Sequence, residues 1–156
     1  MIIIPELFNE NQIKGMKCEL ECALKFIEAG FIVSVPYGNT SRYDLIIDAG
    51  NNNYFRIQCK TARKNENGSY TIKTSNQQFT TTARNVKYYS KEQIDFICSV
   101  IEGRLVVIPV DFIANCQSKI FRSHNCPPSN NSCVSTCNWI ENYTIESQIL
   151  PLCKKE

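Results

Sequence analysis

The chain carries no excess of charge. Seventeen Lys and Arg against fifteen Asp and Glu leave a formal charge of +2 over 156 residues. That is too little to argue nucleic-acid binding by itself, although a local basic patch remains compatible with it. No segment approaches the roughly 20 apolar residues that a membrane span needs. The opening MIIIP is short, has no basic lead and is stopped by Pro5, which makes it a poor signal peptide. The expectation is a protein without a membrane, working inside the cell, in cytoplasm, nucleoid or an organelle. Internal repeats, low-complexity tracts and inter-domain linkers are missing too.

The nine cysteines (18, 22, 59, 98, 116, 126, 133, 137 and 153) are odd in number and scattered. They lack the layout of a secreted disulfide framework, and Cys22, Cys59 and Cys98 read as small buried hydrophobes. What the chain does have is an ordinary globular balance, 43% hydrophobic and 21% charged, and enough length for one domain with a core.

KGMKCELECALKFIEA, from Lys14 to Ala29, is helical, with Met16, Leu20, Ala23, Leu24 and Ile27 on one apolar stripe. Gly30 stops it. Strands are expected at FIVSV (31–35), YDLIID (43–48), YFRIQCK (54–60) and GSYTIKT (68–74). IDFICSVI (94–101) and RLVVIPV (104–110) bracket Glu102-Gly103, a hairpin signal. Past Asp111 the pattern weakens, with KIFRS (119–123) as an edge strand, CPPSNNSCVSTC (126–137) as a loop and NWIENY (138–143) tying down the tail. One helix, a mostly antiparallel or mixed sheet and irregular structure after it give an α/β or α+β class.

Three polar residues interrupt the strands at 43–48 and 54–60: Asp44, Gln58 and Lys60. If the two runs form a hairpin over loop 49–53 with Asp48 facing Tyr54, Asp44 stands opposite Gln58. The two-residue strand period then puts Gln58 and Lys60 on one face. A carboxylate oxygen and an amide oxygen are hard donors suited to a magnesium-like cation, and the Cys59 carbonyl can add another. A lysine beside them can hold or help deprotonate a water and neutralise charge at phosphorus. The helix offers a further acid. At about 100° per residue, Glu19 borders the apolar stripe next to Ala23, whereas Glu21 lies on the opposite border with Lys17 and Glu28. A glutamate flanked by apolar groups points toward the sheet, so Glu19 is preferred. The competing reading makes Asp44 a strand-start residue and Gln58 with Lys60 a solvent-facing row.

Helix glutamate, then SRYDLI, then a hairpin ending RIQCK resembles the PD-(D/E)xK nuclease superfamily, and within it the QxK branch that includes an intron-encoded homing endonuclease. The likeness is strong over Lys14–Lys60, weaker over YYSKEQIDFICSVI and VVIPV, and fades after Asp111. It implies a restriction-endonuclease-like α/β core with a central mixed sheet flanked by helices. The chain is then one nuclease domain over 1–156, with a core of about 14–113 and an irregular C-terminal extension over 114–156. It also implies a catalytic set of Glu19, Asp44, Gln58 and Lys60, and Mg2+ (or Mn2+) held by Asp44, Gln58, Cys59 and Glu19. The reaction it implies is hydrolysis of double-stranded DNA, with Lys60 assisting the water. Tyr43 stands where the superfamily usually has proline, and Gln58 removes one negative charge from the usual cage.

Phosphate contacts fall to Arg42, Arg63, Lys64, Lys73, Arg84 and Lys87. Gln77 sits in SNQQFTTTARN (75–85), which reads either as base-reaching polar side chains or as a solvated loop or helix start. One such site cuts one strand, so a double-strand break requires a homodimer or tetramer. Three functions stay open: a sequence-specific homing-type endonuclease, a related junction-resolving or restriction nuclease, and a DNA-binding module with a dead site. In the tail, His124, Cys126, Cys133 and Cys137, with Cys116 and Cys153 near, read either as a zinc site or as free thiols, and the spacing lacks paired C-xx-C knuckles.

Overall fold

The computed structural model describes residues 9–38, 40–79, 84–129 and 136–153. Helix α1 spans Glu10–Glu28, starting earlier than the apolar pattern because its cap lies upstream. The Asn9 side chain accepts from the Gln12 N–H and the Gln12 side chain accepts from the Asn9 N–H, each at 2.9 Å. This reciprocal box satisfies donors that a helix start otherwise leaves open. Ala29 caps the far end, and Gly30 leaves the helix at φ +90°.

Ten strands follow: β1 Ile32–Ser34, β2 Leu45–Asp48, β3 Tyr54–Cys59, β4 Ala62–Lys64, β5 Tyr70–Lys73, β6 Ser75–Phe79, β7 Arg84–Tyr88, β8 Phe96–Ile101, β9 Arg104–Pro109 and β10 Ser118–Phe121. The central sheet has the order β1-β2-β3-β8-β9. It is mixed: β3 and β8 run parallel, the other pairs antiparallel. Glu102 and Gly103 both take positive φ (50° and 73°), the geometry of a tight hairpin turn between β8 and β9.

The sheet is buried on both faces. On one, Cys18, Cys22 and Phe26 of α1 and Ile149, just after short helix α2 (Ile145–Gln148), pack on Leu45, Ile47, Ile57, Phe96 and Cys98. On the other, Ile97, Ile101, Val106 and Ile108 meet Tyr70, Ile72 and Phe121 from a second sheet of order β10-β5-β4. β6 and β7 form a separate two-stranded ribbon. The segment over 75–85 is thus strand, not the loop or helix start that its polarity allowed, and residues 80–83 lie outside the described residues. Phe121, Ile140 and Ile149 are fully or almost fully buried, so the tail supplies core side chains.

The apolar stripe of α1 does not face the sheet. Met16, Leu20, Leu24 and Ile27 are exposed, and the buried face is the one carrying Cys18, Cys22 and Phe26. Small thiols spaced four apart allow a helix to lie close on a strand surface.

Two constraints outside the strands set the geometry. Arg56 of β3 lays its guanidinium on Asp95, with Nε to Oδ2 at 3.1 Å and an Nη to Oδ1 at 3.2 Å, and also donates to the Lys91 and Glu92 carbonyls. The backbones of the same two residues are tied as well: Arg56 N–H donates to the Asp95 carboxylate at 2.8 Å, and Asp95 N–H to the Arg56 carbonyl at 2.9 Å. This clamp holds β8 in parallel register beside β3. Gly68, at φ +77°, turns β4 into β5 with the Cys126 Sγ only 2.2 Å from where a Cβ would stand.

An ammonium group cannot reproduce a planar two-pronged contact. Arg56→Lys is therefore expected to lower unfolding stability by about 2 kcal/mol in urea titrations. An unchanged midpoint would remove the clamp from the forces that align β3 with β8.

Candidate active site

The loop at 49–53 supplies the register. Gly50, Asn51 and Asn52 all take positive φ (78°, 51° and 60°), a conformation that Gly and Asn tolerate best. Asp48 Oδ1 accepts from the Gly50 N–H at 2.8 Å. The strands then pair Asp48 with Tyr54, Ile47 with Phe55, Ile46 with Arg56 and Leu45 with Ile57. The ladder ends there: the Asp44 N–H donates to the Ile57 carbonyl at 2.8 Å, so Asp44 shares Ile57 with Leu45 and does not pair with Gln58 in register, although the two side chains meet.

Asp44 is half-buried, and one carboxylate oxygen takes two donors. The Cys59 N–H approaches Oδ2 at 2.6 Å, and the Gln58 side-chain amide donates to the same oxygen. Gln58 Nε2 also lies 3.3 Å from the Cys59 carbonyl. Burial pushes the Asp44 carboxyl above its usual range, and the Cys59 N–H, the Lys60 charge and the Gln58 amide oppose that shift. Glu19 is exposed on the flank of α1, yet its carboxyl is raised by lost hydration and then by the charge of Asp44. Of the two helix acids, Glu19 is the one coupled to Asp44; Glu21 pairs with Lys17 at 3.6 Å.

Lys60 leaves β3 with its backbone N–H on the Cys98 carbonyl at 2.9 Å, and its Nζ lies 5.4 Å from the centre of the Tyr89 ring. Tyr89 is buried, and nothing in the sequence pattern singled it out as the floor under the lysine.

The donor set fits a hard divalent cation. Burial opposes ionisation of both carboxylates, the charge of Asp44 adds to the cost at Glu19, and a neutral amide and a backbone carbonyl stand beside Asp44. Gln58 presents its nitrogen, not its oxygen, to Asp44, so a cation at Asp44 requires the amide to turn over. Among the described residues no group of three or more His, Cys, Asp or Glu is placed to hold a metal ion. The acid count is two.

The basic residues divide among three places. Arg63, Lys64 and Lys73 line one cleft of about 710 Å³. Lys14 and Lys17, which the sequence reading passed over, line it too, beside Thr61 and Ser99. Ser99 Oγ is buried there without a hydrogen-bond partner. Lys87 is exposed on the β6–β7 ribbon, opposite Asn76. Gln77 and Arg84 belong to the same ribbon, paired with Val86 and Phe79, and their side chains lie outside the described residues. Arg42, half-buried two residues before Asp44, stands apart from the cleft lining.

In the tail, the His124 ring lies 4.5 Å from that of Trp139, with Nδ1 3.8 Å from Glu141. Cys126 packs on Gly68, and Cys133 lies outside the described residues. No helix among the described residues is long and apolar enough to cross a membrane.

A helix acid, the aspartate just before β2 and the lysine just after β3 thus influence one another's charge beside a mixed sheet. The chain matches the family profile of the PD-(D/E)XK endonucleases over residues 9–145 and belongs to that family. In fold it is similar to the solved structure of a bacterial homing endonuclease, I-Ssp6803I, at 21% identity and a TM-score of 0.66, covering 72% of this chain and 78% of that one. No curated protein matches the chain.

A carboxylate whose pKa is raised on folding costs stability when ionised, at pH above the raised value. The cost fades as pH falls below the ordinary carboxylate range, near 4. Asp44→Asn is thus expected to stabilise the protein at neutral pH in the presence of a chelator, by about 1 kcal/mol. The gain should disappear near pH ~3. Thermal melts at both pH values test this, and an equal or lower melting temperature at neutral pH would refute the electrostatic account.

Proposed function

We propose that the protein is a Mg2+-dependent (or Mn2+-dependent), sequence-specific endonuclease of homing type that hydrolyses phosphodiester bonds in double-stranded DNA. It acts as one nuclease domain over 1–156, inside the cell. The observation that carries this reading is the convergence of Asp44, Gln58 and the Cys59 backbone, with Glu19 coupled to Asp44. Lys60 follows directly after.

Asp44, Gln58 through its oxygen, the Cys59 carbonyl and Glu19 would hold the cation, which would supply charge stabilisation at phosphorus. Lys60 orients the attacking water and balances negative charge on the phosphoryl oxygens. The Tyr89 ring beneath it restricts where the ammonium can go. Arg63, Lys64 and Lys73 take backbone phosphates in their shared cleft. The β6–β7 ribbon, with Gln77, Arg84 and Lys87, reads base edges, since a two-stranded ribbon fits the major groove; Arg42 contacts the backbone near the cut. Cutting both strands takes two such centres, hence a homodimer or tetramer.

A second reading is favoured by the low acid count: a DNA-binding module whose site is inert. Cleavage of a plasmid library with Mg2+ separates the possibilities. One long, rare target supports the homing reading. Preference for four-way junctions favours a resolving role, and indifference to sequence removes specificity. Binding without cleavage in Mg2+ and Mn2+ favours the inert module.

Asp44→Ala and Lys60→Ala are each expected to lower the cleavage rate by at least ~1000-fold, while changing DNA affinity by less than ~5-fold in filter binding. Full activity in Lys60→Ala would strip the lysine of its role. Glu19→Gln should lose activity and Glu21→Gln should keep it; the opposite pattern would move the helix acid to Glu21.

A further inference from the structure

The outward stripe of α1 has a symmetry that its exposure alone does not require. Ile13, Met16, Leu20, Leu24 and Ile27 are all large, apolar and exposed, Leu20 at 70%. Leu20 is the centre of the set. Ile13 and Ile27 lie seven residues to either side, Met16 and Leu24 four to either side. On a helix of about 100° per residue, Met16 and Leu24 fall about 40° to each side of Leu20, and Ile13 and Ile27 about 20°. The pattern reads the same in both directions.

Such a stripe is complementary to an antiparallel copy of itself. A two-fold axis through Leu20 sets Leu20 on the partner's Leu20, Met16 on the partner's Leu24 and Ile13 on the partner's Ile27. The charges agree with this pairing. Lys17 and Glu21 stand on the same flank of the stripe and already pair within one helix at 3.6 Å. The axis brings Lys17 within about 3 Å, along the helix direction, of the partner's Glu21; it sets the two Glu21 residues equally near each other, each flanked by its own Lys17 and by the partner's, so the four side chains form a neutral cluster. The groove between these residues, lined by Ile13, Met16, Lys17, Leu20, Glu21 and Leu24, has a volume of about 400 Å³.

We infer that this face of α1 binds a second copy of the chain, with the two helices antiparallel about Leu20. A two-fold of this kind leaves each flank on its own side of the helix pair. Both Glu19 residues therefore lie on one side and both Lys17–Glu21 pairs on the other. The two Asp44 centres, each coupled to its Glu19, then share one side of the helix pair, and the two clefts of Arg63, Lys64 and Lys73 border the other, the Lys17–Glu21 flank. The inference rests on the double-strand reading for its purpose but not for its test.

Sedimentation equilibrium of the full chain, without DNA or metal, is the experiment. The native protein is expected to be dimeric at micromolar concentration, or to show this dimer as a building block. Leu20→Glu sets two carboxylates on the axis and should raise the dissociation constant at least ~100-fold, with far-UV circular dichroism unchanged because Leu20 packs on nothing inside the fold. Lys17→Glu alone and Glu21→Lys alone should each weaken association ~10-fold, and the double exchange should restore it to within ~3-fold. A monomeric native protein overturns the inference and leaves the stripe to residues 1–8 or another partner. Leu20→Glu associating like the native chain overturns it as well, and a double exchange as weak as the singles overturns the antiparallel register. Cleavage does not enter the measurement, so loss of one reading leaves the other standing.

Discussion

The contact on which the site depends is the one between the Cys59 N–H and the Asp44 carboxylate, 2.6 Å long. It is a backbone donor at the end of one strand meeting a side chain just before the start of its neighbour. It exists only when Asp48 faces Tyr54, because a slip of one residue would turn every side chain of a strand to the opposite face. The three consecutive positive-φ residues at Gly50, Asn51 and Asn52 set that pairing from the loop end. Arg56 and Asp95 set it from the other edge, locking β3 to β8. Site geometry is thus a consequence of strand registry, and the chemistry-bearing side chains are carried on rigid elements.

The hairpin and its register were legible in the sequence because they rest on short-range rules: alternation, an Asn-rich loop, and Glu-Gly between two apolar runs. The coupling of Glu19 to Asp44 was legible for a different reason from the one given. On a helical wheel the apolar stripe is the natural face to turn to the sheet, with Glu19 at its border. The stripe faces outward, and Glu19 reaches Asp44 because it adjoins Cys18 on the edge of the face that is buried. A helical wheel gives a period, not a direction. Which side turns inward was decided by how closely Cys18 and Cys22 let the helix approach a sheet surface that itself carries Cys59 and Cys98. The ribbon β6–β7 and the short β4 were not legible. Their residues are mostly polar, so no apolar alternation in the sequence marks them as strands.

The four thiols at that junction show how one residue type serves packing where it usually signals chemistry. All four thiols lie above their ordinary range: the Cys22 contact and burial raise Cys18, burial raises Cys98, and at Cys22 and Cys59 the hydrogen bonds from Cys18 and Cys22 oppose the rise but are outweighed by burial and neighbouring thiols. They fill space between α1 and the sheet as small apolar groups. The backbone of Cys59 meanwhile serves the site twice, as donor to Asp44 and as a carbonyl beside Gln58.

Gln58 is where folding and the proposed chemistry meet. An acid at that position would set a third carboxylate beside Asp44 and Glu19, whose ionisation burial already opposes, at Glu19 with the charge of Asp44 added. An amide removes that repulsion and adds a donor, so the side chain stabilises ionised Asp44 in the absence of a cation. The same amide, turned over, offers an oxygen in place of the nitrogen. A cation then gains a neutral ligand and loses the attraction of a third charge, while breaking the Gln58–Asp44 contact. The substitution of amide for acid therefore moves free energy from the cation-bound form to the empty one. A protein built this way keeps its hairpin ordered without metal, and under the proposed reading a phosphate of the substrate would have to supply the charge that its own carboxylates leave out.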